Sequence, residues 1–494
     1  MATDLFARKD VGKLAAEAEG TEGLKRTLGA FDLVALGVGA IIGAGLFVRT
    51  AAAAASSAGP SVTLGFVVAA VGCAFAGLCY AELASMIPIA GSAYTYTYTT
   101  MGELVAWIIG WDLVLEYALG AATVGIAWSE YLNKLLGLFG AHIPYALCHS
   151  PFQMEGGEHG IINLPALGII LVLTLLLIRG IHESAVVNGI IVVMKVTVVI
   201  LIITLGWSFM KPENHTPYIP ASSVYTDPQG VPHAFGGTMG ILGAAGIVFF
   251  AFIGFDAVST AAQEARNPKR DMPIGILGSL AICTVLYILF AHVLTGLANV
   301  DFFRNAGKEA SVAKAIDGYM PGYTWLSNAV TVAILGGFSS VILVMLMGQS
   351  RVFYTMSRDG LVPRVFSDLH PLYRTPYKSN LLFFVFVGLF AAFVPGDIVG
   401  DMTSIGTLFA FSLVSIGVWI MRYRQPDMAR PFRVPAVPFV SVCGVLVCGS
   451  MIYGLGWPNW LRLGVWLVIG LIIYFAYGRK HSRVQADARG EVSA

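Results

Sequence analysis

Apolar runs separated by short polar stretches repeat along this chain from residue 30 to residue 478. About 20 consecutive apolar residues make a helix long enough to cross the hydrocarbon of a bilayer. Twelve runs meet that criterion, near 30–55, 61–87, 104–128, 161–181, 185–209, 237–263, 274–298, 323–350, 380–395, 398–421, 437–456 and 460–478, here numbered spans 1 to 12. The longest polar stretches, 129–160, 210–236, 299–322 and 351–379, are too short for an inserted soluble domain. The pattern predicts an all-α integral membrane protein with twelve transmembrane helices.

Two spans interrupt their own periodicity. Gly39-Ala40-Ile41-Ile42-Gly43-Ala44-Gly45-Leu46-Phe47 places three glycines, at positions 39, 43 and 45, in the middle of span 1. Each glycine costs a helix about 1 kcal/mol relative to alanine. Five spans later, Phe250-Ala251-Phe252-Ile253-Gly254-Phe255-Asp256 holds a glycine and a carboxylate at the same relative place in span 6. Glycine also serves close helix packing in membranes, but interruptions at matching places in two five-span halves point to an inverted-repeat transporter. The predicted halves are 30–209 and 237–421, with spans 11 and 12 at 437–478 and flanking segments 1–29 and 479–494.

Such a break has a chemical use. Unwinding at Gly43-Ala44-Gly45 exposes amide N–H groups at the positive end of the outer half-helix, a socket for a carboxylate. Carbonyls at the end of the preceding half-helix, Ile41 among them, suit an ammonium. One broken helix can thus read the zwitterion of a free amino acid.

Composition and charge narrow the picture. Only 12% of residues are charged, against about 25% in soluble domains. A net charge of +1 gives no basis for nucleic-acid binding. Six cysteines, at 73, 79, 148, 283, 443 and 448, form no CxxC pair or metal-ligand spacing, so no metal and no cofactor is expected. The N-terminal stretch MATDLFARKDVGKLAAEAEGTEGLKR has no apolar core ending in a cleavage site and is not expected to act as a signal peptide. With the N-terminus inside, 22 Lys and Arg residues fall on the inner side and 7 on the outer, leaving Lys195 within a span. That bias predicts a multi-pass protein of the cell membrane with both termini cytoplasmic.

The motifs of the chain resemble those of the amino acid–polyamine–organocation superfamily, and within it the cationic amino acid transporters. The resemblance rests on GAIIGAGLF in span 1, on Tyr80-Ala81-Glu82-Leu83-Ala84 with Pro88-Ile89-Ala90-Gly91-Ser92-Ala93-Tyr94, and on Trp107 to Tyr117. It extends to FFAFIGFDAVSTAAQEARNP at 249–268 and to Arg351-Val352-Phe353-Tyr354 with Arg358-Asp359-Gly360-Leu361. It implies a LeuT-type fold with spans 1–5 and 6–10 as inverted repeats, broken helices 1 and 6, and spans 11–12 peripheral. Animal members have two further C-terminal helices, so the resemblance is to the shorter, bacterial-type form. It also implies that the amides of Ala44 and Gly45, next to Gly43, hold a substrate carboxylate. The carbonyls of Ile41, Phe250 and Ile253 would hold the amine, and Phe252 would cover the site. Spans 3, 8 and 10 would complete the pocket, span 8 offering Ser339, Ser340 and Met345, span 10 Ser404, Thr407 and Ser412.

Ionisable residues within spans are costly and rare, so each is a functional candidate. Lys195 lies about ten residues from either end of span 5, roughly 15 Å from each interface and too far to snorkel. A lysine at that depth is stable only when neutral or paired, which suits a carrier of protons or a structural strut. By resemblance, its ammonium would tie span 5 to the carbonyls of broken span 1. Glu116 and Asp112 lie one helical turn apart on span 3; Glu116 is the candidate acid to exchange a proton with Lys195, and Asp112 and Asp256 are further candidates. His292 is expected to bond locally, and Glu82 to belong to an inner gate.

A secondary transporter fits these features best. No HExxH, buried Ser/His pairing or histidine cluster supports an intramembrane enzyme, and no GxxxxGK[ST] run supports an ATP-driven pump. Two unlike breaks are foreign to a channel. The expected activity is proton symport of L-amino acids, the rival being an exchanger with a structural Lys195. The apolar stretch VILVMLM on span 8 favours small neutral substrates such as alanine, and a cationic substrate is expected only if Glu116 or Asp256 faces the cavity. The expected partners are the substrate and membrane lipid; nothing in the pattern specifies protein partners.

Overall fold

A computed structural model describes residues 5–9, 28–87, 92–155, 157–180, 185–226, 232–262, 264–305 and 311–488. Pro88-Ile89-Ala90-Gly91 of the span 2–3 motif, most of the segment 1–29 and the end of the tail lie outside the described residues.

The chain is helical almost throughout. Among the described residues, nine helices are long and apolar enough to cross a membrane, and three apolar helices, Ala30–Ile41, Leu164–Ile178 and Tyr377–Phe393, are shorter. The three short ones fall in spans 1, 4 and 9. The second part of span 1 runs into span 2 with only a tight bend at Gly59–Ser61, so Gly45–Met86 forms one helical path. Spans 3, 7, 8 and 10 extend beyond their apolar cores, as Glu103–Gly137, Pro268–Leu297, Thr324–Arg358 and Gly396–Arg424. Their polar ends stay helical because backbone pairing does not require apolar side chains. The connecting stretches carry two small antiparallel hairpins, Met154–Glu155 with Glu158–His159 and Ser223–Thr226 with Pro232–Phe235. Helices Val300–Asn305 and Ser311–Tyr319 lie between spans 7 and 8.

Spans 1, 2, 6, 7, 8 and 10 pack around a common core. Its middle is aromatic: Phe252 meets Phe66 and Tyr287 at ring separations of 6.2 and 5.3 Å, and Phe411 meets Tyr80, Phe249 and Phe255 at 5.4, 5.5 and 5.0 Å. Lipid-facing residues remain apolar, as with Val193 on span 5 and Val465 on span 12.

The two ends of the chain are docked. Backbone amides of Glu103 and Leu104 donate to the carbonyls of Ala7 and Leu5, and Lys9 pairs with Asp359. Glu103 is fully buried and accepts from Tyr98, Tyr474, Ser482 and Gln485. Residues 482–485 of the tail are therefore held against the start of span 3. A carboxylate with four donors tolerates burial because its lone pairs are satisfied. His292 bonds locally: its ring lies 4.5 Å from that of His215 and its Nδ1 is 3.5 Å from the Tyr218 hydroxyl.

Replacing Glu103 by alanine leaves four donors without their acceptor, at a cost on the order of 3 kcal/mol. Hydrogen exchange across residues 482–488 should then accelerate strongly; unchanged exchange would show that the tail is held by other contacts.

Candidate functional site

The first helix, Ala30–Ile41, stops because Ile42 turns extended, at φ −71° and ψ 101°. Helix resumes at Gly45 and continues as a chain of wide and regular turns to Ala58. The carbonyl of Gly43 accepts from the amides of Leu46 and Phe47 at 3.2 and 3.4 Å, which marks the new start. The amides of Gly43, Ala44 and Gly45 thus belong to the first turn of the resumed helix, where intrahelical acceptors run out.

Span 6 is interrupted likewise. Its helix Gly237–Phe249 tightens at Phe250–Phe252, turns extended at Ile253 (ψ 134°) and passes through Gly254 at φ 115° before resuming as a tight helix at Asp256. That φ lies in the left-handed half of backbone space, which favours glycine.

The two breaks face one another. A Cβ on Gly45 would overlap the backbone of Ala251, and one on Gly254 would come within 2.9 Å of the Ala40 carbonyl oxygen. Each glycine is thus required by the other span's backbone. Tyr287 on span 7 lies between them, its hydroxyl 2.9 Å from the Ile41 carbonyl oxygen and 3.0 Å from that of Ala251. Sequence reasoning missed this residue, although a tyrosine in the middle of an apolar span was the available signal. The carbonyls of Ile41 and Phe250 already have protein donors, Tyr287 and the Ile253 amide, leaving each a second lone pair for an ammonium.

Ala44, Phe250, Phe252 and Ile253 are all buried, so both breaks are closed to solvent. On span 8 it is Val341 that abuts the break, set to touch a Cβ at Gly43 at 3.3 Å. Met345, one turn on, packs near Gly120 of span 3. Thr407 donates within its own helix to the Thr403 carbonyl, whereas the buried hydroxyl of Ser404 has no partner among the described residues.

The ionisable candidates fall on two flanks. Lys195 is buried on span 5, donates to the Gly39 carbonyl at 2.9 Å and lays its aliphatic chain over Gly337 of span 8, where a side chain would overlap it. On the other flank, Glu116 sits in a wide turn, Leu115–Leu119, inside the third span. Such turns redirect a side chain and recur at functional sites. Asp256 of span 6 and Asp112 of span 3 are the acidic neighbours of Glu116, and Tyr117 donates to Asp256 at 2.8 Å. Among the described residues, the oxygens of Asp112 and Glu116 and Oδ1 of Asp256 have no donor.

Ion pairs close both ends. Glu82 on span 2 accepts from Arg422 at 2.9 and 2.5 Å and from the Val434 amide at 2.7 Å, with Arg430 3.3 Å away. Toward the opposite end, Arg49 of span 1 pairs with Asp401 of span 10, which Asn459 also approaches at 3.3 Å.

Comparison with known proteins adds identity to this geometry. The family described as amino acid permease matches residues 28–476. The branched-chain amino acid permease BcaP of Bacillus subtilis is 44% identical over 98% of this chain and 100% of its own length. The methylthioribose transporter of the same organism is 39% identical over 97% and 99%. Human cationic amino acid transporter 4 is 34% identical over 81% of this chain and 60% of its own length.

The facing glycines predict a graded response. Gly45→Ala forces the spans apart at a cost of about 1–3 kcal/mol and should lower the melting temperature. Gly43→Ala meets only the tip of Val341, so it should fold near-normally while weakening substrate binding. Equal stability of the two variants in a thermal melt would contradict the observed contact.

Proposed function

The chain belongs to the amino acid permease family, and on that footing we propose that it imports L-amino acids across the cell membrane by proton symport. The family is one of transporters and not of enzymes. The observation that carries the proposal is the pair of facing breaks at 42–44 and 253–255. In this reading, first-turn amides of Gly43, Ala44 and Gly45 take the substrate carboxylate. The spare lone pairs of Ile41, Phe250 and Ile253 carbonyls take the amine, and Phe252 covers the bound molecule. The fold would be the twelve-helix, 5+5 inverted repeat, with both termini cytoplasmic as the 22-to-7 distribution of Lys and Arg suggests.

Neutral substrates with apolar side chains suit the lining. Val341 and Met345 offer no charge to an arginine or lysine side chain, and the Asp256 carboxylate accepts from Tyr117. Alanine and the branched-chain amino acids are therefore the first candidates; the latter are also named in a relative aligned over nearly the whole chain. The relative named for methylthioribose, a molecule without an amino acid's α-carboxylate, supports a second reading. Competition against labelled alanine or leucine separates the two. Analogues lacking the α-carboxylate should compete about 10- to 100-fold less well, as expected for a lost charge-assisted hydrogen bond. Strong competition by methylthioribose would favour the second reading. Met345→Ser and Val341→Ala should admit longer side chains, with relative rates shifting about tenfold; unchanged selectivity in both would move side-chain selection to spans 3 and 10.

Proton coupling is assigned to Lys195, with the Glu116–Asp256 pair as a second proton-holding group. Protonated, Lys195 holds the Gly39 carbonyl and keeps span 1 docked on span 5. Deprotonated, it loses its charge and releases the first half-helix. Lys195→Ala should therefore abolish accumulation driven by an inward proton gradient in proteoliposomes while substrate binding persists. Counterflow without pH-driven uptake by the wild-type protein would instead identify an exchanger with a structural lysine.

A further inference from the structure

A cavity of about 470 Å³ opens where span 10 ends, lined by Trp419, Arg422, Tyr423, Arg430, Arg433 and Pro438 among others. Three guanidinium groups meet there. Arg422 and Arg430 turn toward Glu82, whose single carboxylate balances one of them, so the cavity retains two positive charges in excess. Arg430 is further fixed by donating to the carbonyls of Met428 and Gln425 at 2.8 and 2.6 Å. The indole Nε1 of Trp419 is buried without a partner among the described residues. An excess of two positive charges thus borders a space large enough for a phosphate group and its ester substituents.

The setting favours a lipid. Arg422 and Arg424 occupy the last turn of span 10, directly after its apolar length, which puts the cavity at headgroup depth. Tyr423 and Phe439 flank it at 73% and 64% exposure, aromatic residues of the kind that settle at membrane interfaces. Asp427, on the same connection, is exposed and outside the lining. Basic pockets between membrane helices bind anionic headgroups, and bidentate arginine geometry matches phosphate oxygens.

We propose that this cavity binds the phosphodiester headgroup of an anionic phospholipid, with Arg433 and the outer faces of Arg422 and Arg430 as cations. The acyl chains lie along the apolar flanks of spans 10 and 11. Because Arg422 and Arg430 also hold Glu82, an occupied site reinforces the tie between spans 2 and 10.

The test uses the full-length protein in neutral detergent, titrated with phosphatidylglycerol, phosphatidylcholine or inorganic phosphate and read by native mass spectrometry and melting temperature. Phosphatidylglycerol should bind saturably and raise the melting temperature, and phosphatidylcholine should do neither. Arg433→Gln, at an exposed position, should weaken phosphatidylglycerol about fivefold, the worth of one interfacial cation. Arg422→Gln should weaken it by a similar factor. Displacement of the lipid by inorganic phosphate at equal concentration would make the ligand a soluble phosphate and overturn the lipid assignment. Failure of phosphatidylglycerol to bind, or binding indifferent to both substitutions, would overturn the site.

Discussion

Backbone polar groups that leave a helix in the middle of a membrane must find partners inside the protein, and the rest of this structure is arranged around that requirement. The interruptions at 42–44 and 253–255 meet it by facing each other. Glycine at 45 lets the backbone of Ala251 approach, glycine at 254 lets the Ala40 carbonyl approach, and the Tyr287 hydroxyl lies between a carbonyl of each span. The main-chain groups brought together this way are distinct from the side chains of span 8 that abut them, Val341 first among them.

The buried charges are organised about the same two breaks. Lys195 holds the carbonyl of Gly39, three residues before Ile42. The Glu116–Asp256 pair lies on the other flank, where Asp256 opens the helical turn that follows Gly254. Both flanks therefore adjoin a break directly, and not a distant helix. The wide turn at Leu115–Leu119 is what swings Glu116 toward span 6.

Much of this was legible in the sequence, for reasons that differ by residue. Apolar length located the spans because bilayer thickness fixes it, and glycine spacing located both interruptions because few other residues permit them. The depth of Lys195 announced a buried partner, and the contact with the Gly39 carbonyl lies where span 1 was expected to receive it. Residues whose role depends on three-dimensional meeting were not legible. Tyr287 looked like one aromatic among many and Val341 like any apolar residue, and spacing alone does not show that Asp256 of span 6 lies beside Glu116. The docking of residues 5–9 and 482–485 on Glu103 and Asp359 joins positions far apart in the chain, 350 for Lys9–Asp359 and 382 for Gln485–Glu103, a separation no local pattern encodes.

The closures at the two ends are unequal, and the inequality has a physical consequence. At the end that carries the chain termini, Glu82 is tied to two arginines and a backbone amide, Asp359 to Lys9 and Tyr94, and Glu103 to four side chains. At the other end, Arg49–Asp401 with Asn459 is the corresponding tie near the broken span. Separating a buried charge pair without replacing its partners costs about 3–5 kcal/mol, and among the described residues one side is held by the pairs of Glu82 and Asp359 and the other by that of Arg49 and Asp401. A transporter needs both openings within reach, and a ligand can alter their balance only through contacts that differ between states. The Gly39–Lys195 bond is well placed for that, since it fixes the first half-helix of span 1, the element leading from the break toward the more heavily tied end.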